Sequence, residues 1–327
     1  MNKKQIMLMI ILVLLALVNV SCRNKKKTRD GLDIITLTLD WTPNTNHTGL
    51  YVARELGYFK EEGLEVVIQQ PTEGMTDNIV ANGSSEFGIS YQENVTRARS
   101  ESIPIVSIAA IIQHNTSGFA SLKQSNIKTP KDFEGKRYGS WDSPSEHDIL
   151  KTIMKSYNAD IEKVTIISGI NDFFSTIGKD ADFEWIFYAW DGIKAEIDGI
   201  DINYLPLRDL HPVFDYYTPV IITTEKLMQE KPELISRFMR AVSKGYRYCI
   251  DNPEKAAEVM IRQVPDLDPE LVRQSQIYLA REYQAEASKW GIQNEAVWSA
   301  FANWMHHNGL IKDNIIPKNA FTSQFLP

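Results

Sequence analysis

Cysteine is almost absent from this chain. Only Cys22 and Cys249 occur in 327 residues, too few for a zinc ribbon, an iron–sulfur cluster or a disulfide scaffold. Positive charge is in deficit: 35 Lys and Arg face 42 Asp and Glu, a formal net charge of -7. Phosphate backbones are held by clustered basic residues, so a body this acidic is not a general nucleic-acid binder. Beyond residue 21 no apolar run approaches the roughly 20 residues of a membrane helix. The sequence also lacks GxSxG, a P-loop, HExxH and GxGxxG, which removes the motif routes to a hydrolase, an NTPase, a zincin or a dehydrogenase. His47, His114, His147 and His211 are scattered, and the adjacent His306 and His307 point apart on a helix, so no metal site is expected. What is present is an ordinary globular composition, 43% hydrophobic and 10% aromatic, in a chain long enough for two compact domains.

Residues 1–21 combine a positive start (Lys3, Lys4) with an apolar run, Ile6 to Val18, and then small or polar residues before Cys22. This reads as a secretory signal peptide. The cysteine at the cleavage point resembles a bacterial lipobox, with Asn19 in place of its usual leucine, and marks Cys22 for lipidation. Residues 22–32, rich in Lys and Arg, read as a solvated tether. The expectation is an exported, lipid-anchored protein on the extracytoplasmic face of the cell membrane, with Cys249 as a lone thiol buried in a helix.

From residue 33 strands and helices alternate. Ile34–Asp40, Leu64–Gln69, Phe87–Ser90 and Ile105–Ile112 read as strands, with helices between them. A second set follows Thr129-Pro130: strands at Arg137–Gly139, Val164–Ile167, Trp185–Tyr188 and Ile202–Pro206, with a helix at Ser145–Tyr157. After a strand-like Thr218–Thr224 the chain reads as helical over 225–262, 269–287 and 294–309. The fold class is α/β, parsed as residues 33–120 and 220–327 in one lobe and 121–219 in the other. Two crossovers make a hinge, and a cleft between hinged lobes suits a small ligand.

Aromatic residues stand beside carboxylates where strands end. Asp40-Trp41 follows the first strand, Tyr91-Gln92-Glu93 the third, Trp141-Asp142 the strand at 137–139, and Tyr188-Ala189-Trp190-Asp191 the strand at 185–188. Ligands of open α/β sheets lie beyond the carboxyl ends of the strands, so these clusters are expected to converge. Aromatic faces stack on a flat ring and carboxylates accept from its N–H groups; a sulfonate or phosphate would instead call for Arg or Lys, which these clusters lack. Trp185, on the strand itself, reads as core packing. Ser140, Ser143 and Ser145, ahead of a helix, form a possible anion loop, with an ordinary N-cap as the alternative.

These residues carry a family resemblance. DWTPNTNHTGLYVARELGYFKEEGLEV (Asp40–Val66) is similar to the opening of the family that joins fungal thiamine-pyrimidine synthases to substrate-binding proteins of bacterial thiamine-precursor importers. SYQENVTRARSESIPIVSIAAIIQH (Ser90–His114), the segment Thr129–Lys136 and DYYTPVIITTEKL (Asp215–Leu227) resemble the importer branch. The resemblance spans roughly residues 33–260. It implies a two-lobed type II periplasmic-binding fold, monomeric and without a cofactor, that closes on an aminopyrimidine and docks on an ABC permease with its ATPase. By position the site would use Asp40, Trp41, His47, Tyr91, Gln92, Trp141 and Tyr188, with Glu93, Trp190 and Asp191 added by local chemistry. Trp41 and Tyr188 would sandwich the ring while Asp40 and Glu93 hold its amino groups. The chain departs from the importer pattern around Trp185–Glu196, one wall of the cleft. The synthase branch is the enzyme alternative, but its cofactor lysine falls at Ser90 and its donor histidine at Asn94, its cysteine-rich segment is missing, and a Schiff base needs an amine. An importer receptor for another flat or amine-bearing ligand, such as riboflavin or a polyamine, is the other alternative.

Overall fold

The computed structural model describes residues 27–71 and 76–327. The signal peptide, Cys22 and the start of the tether lie outside the described residues. The end of the tether is a tight turn, with Lys27 bridged to Asp33 and its Nζ donating to the Gly31 carbonyl at 3.0 Å.

Ten strands among the described residues form the frame: β1 (Asp33–Thr38), β2 (Leu64–Gln69), β3 (Phe87–Ser90), β4 (Ile105–Ala110), β5 (Ser117–Leu122), β6 (Arg137–Gly139), β7 (Thr165–Ile167), β8 (Phe183–Phe187), β9 (Ile202–Pro206) and β10 (Val220–Thr224). They make two five-stranded sheets, ordered β2-β1-β3-β10-β4 and β7-β6-β8-β5-β9. β1 runs parallel to β2 and β3, and β6 parallel to β7 and β8, as the alternation of elements predicts. Each sheet also carries one antiparallel strand, β10 between β3 and β4 and β5 between β8 and β9. Those two strands follow the crossovers between lobes, so they enter their sheets from the opposite direction.

Among the described residues the helices of eight residues or more are α1 (Thr48–Glu55), α2 (Gln92–Ser100), α3 (Glu146–Ser156), α4 (Pro232–Asp251), α5 (Pro253–Gln263), α6 (Pro269–Glu282) and α7 (Glu295–His307). The helical stretch expected over 225–262 is broken before Pro232 and Pro253. Lys231 and Asn252 leave the helical region (ψ 53° and 59°), because a proline ring clashes with a helical residue before it. None of the described helices is long and apolar enough to cross a membrane.

In the first lobe Phe59, Phe87 and Phe238 stack, the last two at 3.8 Å between ring centroids. α1 crosses α4 at two glycines: a Cβ on Gly245 would lie 2.0 Å from the Gly49 carbonyl oxygen. Cys249 is buried within α4, as expected. The second lobe packs Phe119, Phe133, Phe183 and Tyr138 under α3. Two details correct the expected division. β5 begins at Ser117 and pairs only within the second sheet, so the boundary near 120 falls inside a strand. α7 is shared: Trp298 packs on the first lobe beside Val220 and Ile222, whereas Phe301, Trp304 and Met305 complete the core of the second.

The crossovers are tied to each other. Asp215, on the second, accepts from the Asn115 backbone N–H at 2.9 Å and from His114 Nδ1 at 2.6 Å, both on the first. His114 Nε2 reaches Glu286 at 2.9 Å. These contacts sit at the hinge, behind the cleft.

Candidate functional site

The cleft between the sheets is a cavity of about 710 Å³, lined from both lobes and from the crossover residues Ile112, Thr116, Tyr216, Thr218 and Pro219. Among the described residues its lining carries five carboxyl groups, on Asp40, Glu93, Asp172, Glu184 and Asp191, against one lysine, Lys194. Lys194 is already paired with Asp198. The balance suits a ligand that donates hydrogen bonds and opposes an anion.

Asp40 lies two residues beyond the end of β1, at the cleft edge, and three contacts define its state. The backbone N–H of Asn44 donates to His47 Nδ1 at 3.1 Å, so that nitrogen bears no proton and the imidazole carries its hydrogen on Nε2. Nε2 then donates to Asp40 Oδ1 at 2.7 Å, and the Tyr91 hydroxyl donates to Oδ2 at 2.7 Å. Burial works to raise the Asp40 pKa, but the His47 and Tyr91 contacts outweigh it and hold the carboxyl below its ordinary value. The result is a fixed carboxylate with lone pairs left for a ligand. Beside it Trp41 stands 58% exposed at the mouth, where a large apolar side chain gains by covering a ligand.

Glu93 opens α2 and reaches across the cleft floor. Its Oε2 accepts from Ser145 of the second lobe at 3.1 Å and from Tyr216 at 3.3 Å, and Oε1 has no partner among the described residues. Burial raises its pKa despite these bonds. A second bridge joins Ser275 on α6 to the Ala189 carbonyl.

The aromatic wall comes from the second lobe. Trp141 packs on Trp185 at 5.4 Å and lies nearly parallel to Phe187 at 5.9 Å, and all three line the cavity. Trp190 and Asp191 line it too. Burial, against a backbone bond from Phe187, pushes the Asp191 carboxyl up to about 6.

Seven of the expected residues therefore meet in one cavity: Asp40, Trp41, Tyr91, Glu93, Trp141, Trp190 and Asp191. Three do not line it. His47 is fully buried behind Asp40 and acts through it. Gln92 bonds the Tyr217 N–H at 2.9 Å and the Val297 carbonyl at 3.3 Å, holding α7 and the crossover. Tyr188 is turned away: its ring packs on Tyr204 at 4.6 Å and Tyr278 at 5.5 Å, and its hydroxyl bonds Glu196. Tyr188 opens the helical turn that follows β8 (Tyr188–Gly192), which carries its ring away from the cleft, and the expected Trp41–Tyr188 sandwich gives way to a wall of Trp141, Trp185 and Phe187. The serine loop is corrected as well. Glu146 already accepts from the Ser143 N–H at 3.1 Å and Glu93 from the Ser145 hydroxyl, while Ser140 accepts from the Asp142 N–H. The protein's own carboxylates fill the place an anion would take.

Sequence reasoning missed Glu184 and Phe187; Trp185, read as core packing, is part of the second lobe's core and also lines the cavity. Glu184 had a visible signal, a single acid inside the apolar strand FEWIF. Asp172, Phe173 and Phe174, which close one side of the cavity, had none.

Two hinged α/β lobes around a cleft define a type II periplasmic-binding-protein fold. The aliphatic sulphonate binding protein SsuA from Escherichia coli shares it, with a TM-score of 0.68 at 12% identity over 88% of this chain and 91% of that one. The family model described as NMT1/THI5 like matches residues 44–256, and the chain belongs to that family. A formylaminopyrimidine-binding protein of Halalkalibacterium halodurans is 31% identical, covering 95% of this chain and 97% of its own. A 4-amino-5-hydroxymethyl-2-methylpyrimidine phosphate synthase of Legionella pneumophila is 23% identical over 90% of this chain and 92% of its own.

Proposed function

We propose that this chain is the substrate-binding protein of an ABC importer, taking up a thiamine-related aminopyrimidine such as hydroxymethylpyrimidine or its formylamino precursor. The observation that carries the reading is the Asp40 carboxylate, held ionised by His47 and Tyr91 at the edge of an aromatic-walled cleft. Such a group accepts from the exocyclic amino group while Trp141 and its neighbours cover the ring face. The similarity to a formylaminopyrimidine-binding protein supports the same substrate class. Export, a lipid anchor at Cys22 and docking of a monomeric closed form on a permease and its ATPase complete the proposal.

The synthase reading finds less support. Ser90 and Asn94 stand where it would need an amine and an imidazole, and neither lines the cavity. Lys194 is the one amine among the described lining residues, and Asp198 holds it. A cofactor phosphate would also meet Glu93 and Glu146 in the serine loop. A larger flat ligand such as riboflavin is favoured by one observation, a cavity of about 710 Å³, roomier than a single ring requires. The test is calorimetry on the purified chain with both pyrimidines, riboflavin, pyridoxal phosphate and taurine. Saturable binding of a pyrimidine alone is expected. Binding of riboflavin or pyridoxal phosphate without a pyrimidine would replace the reading.

A further inference from the structure

The carboxyl of Glu184 has no role in the site as described so far. It lies on β8 in the second lobe, on the opposite side of the cleft from Asp40, and lines the cavity although the residue is only 3% exposed. Its position is built. Gly139 on the adjacent strand leaves room for its stem, since a Cβ there would come within 2.8 Å of Glu184 Cγ. Thr176 Oγ1 donates to Oε1 at 2.7 Å. Oε2 has no partner among the described residues. Among the described residues no basic side chain pairs with the group, and the titratable residues that act on it are Asp172, Asp180, Asp191 and Tyr138.

Resting on the aminopyrimidine reading above, we propose that Glu184 is a second recognition residue, whose neutral carboxyl donates a hydrogen bond from Oε2 to a bare ring nitrogen of the bound heterocycle. An aminopyrimidine presents both N–H donors and ring-nitrogen acceptors. An ionised Asp40 serves the first and cannot serve the second; a protonated carboxyl serves the second. Burial, followed by the repulsion of Asp172, Asp191 and Asp180 and against the Thr176 bond, pushes Glu184 up to about 7, while His47 and Tyr91 keep Asp40 low. Two carboxyls with environments that drive their proton affinities apart take opposite roles. The specificity follows: a heterocycle with an amino group and an unsubstituted ring nitrogen is accepted, and one alkylated on that nitrogen is rejected.

The test is the affinity of the purified chain for hydroxymethylpyrimidine between pH 5.5 and 8.5, for the wild type, Glu184→Gln and Glu184→Ala, with thermal melting to confirm folding. The protonated carboxyl is the binding form, so wild-type affinity is level below about pH 7 and falls above it, approaching tenfold per pH unit. Glu184→Gln donates from its amide at every pH, so its affinity stays flat above pH 7, where Asp191, pushed up to about 6, is already ionised. Glu184→Ala is weaker at pH 6 by roughly tenfold to a hundredfold, the effect of losing one buried polar partner. A wild-type profile that matches that of Glu184→Gln, or an alanine variant that binds like the wild type, overturns the role of Glu184 and leaves the aminopyrimidine reading standing. A wild type that binds no pyrimidine at any pH overturns both.

Discussion

Replacing Asp40 by Asn separates a carboxylate that reads the ligand from one that only holds the fold. Asp40 receives two hydrogen bonds of 2.7 Å, from His47 Nε2 and the Tyr91 hydroxyl. An asparagine keeps both contacts by turning its oxygen to His47 and its NH2 to Tyr91, whose hydroxyl rotates to accept. The shape survives and the charge does not. Hydrogen bonds to a charged group contribute about 1.5–3 kcal/mol and neutral ones about 0.5–1.5, so a ligand N–H bonded to this group loses about 1–2 kcal/mol, roughly five- to thirtyfold in affinity. The fold loses a comparable amount from the two internal bonds, offset in part because a buried charge no longer has to be desolvated. The assay is calorimetric titration of the wild type and Asp40→Asn with hydroxymethylpyrimidine and with its analogue lacking the amino group. The expected result is a five- to thirtyfold loss for the first ligand and little change for the second. Equal losses for both would refute the reasoning and make Asp40 a structural residue.

Other perturbations test other parts of the account. Trp41→Ala should weaken ligand binding by about 1–3 kcal/mol and leave melting nearly unchanged, because the side chain is 58% exposed without ligand. Tyr188→Phe, by contrast, should leave affinity unchanged by the same titration, since its ring lies on Tyr204 and Tyr278. Gly245→Ala would drive a methyl group against the Gly49 carbonyl and should cost about 3 kcal/mol or more in denaturant unfolding, at the upper end of overpacking effects. At the hinge, burial lowers the His114 pKa, but the bonds to Glu286 and Asp215 outweigh it and leave it raised. A raised histidine stabilises fully below its unfolded pKa of about 6.5, and that contribution disappears as pH rises through the folded value. His114→Gln should therefore flatten the stability profile above pH 6.5, and an unchanged slope would remove the histidine from the hinge.

Much of this organisation was legible in the sequence. The alternation of β-type and helical runs locates nine of the ten strands, and the positions where aromatic residues meet carboxylates mark Asp40, Tyr91, Glu93 and Trp141. β5, SGFASL, escaped because small and polar residues leave little alternation to detect, although it is buried between two partners. The breaks at Pro232 and Pro253 were written in the prolines themselves. Direction was the harder problem. A cluster such as Tyr188-Ala189-Trp190-Asp191 indicates that a strand ends near a site, but not which side chain faces it. That depends on the helical turn Tyr188–Gly192 into which the chain passes at the end of β8. The segment around Asp172–Phe174 is brought to the cleft by tertiary packing alone.

The measurement closest to the central claim is a titration of the purified chain with formylaminopyrimidine and hydroxymethylpyrimidine, followed through tryptophan fluorescence. Trp41, Trp141, Trp185 and Trp190 all line the cleft, so occupancy has a direct signal. The account predicts a saturable change at sub-micromolar concentration for a pyrimidine and none for taurine, whose sulfonate meets the ionised Asp40 and a lining lysine already paired with Asp198. Silence with both pyrimidines, together with saturation by taurine or pyridoxal phosphate, would contradict it.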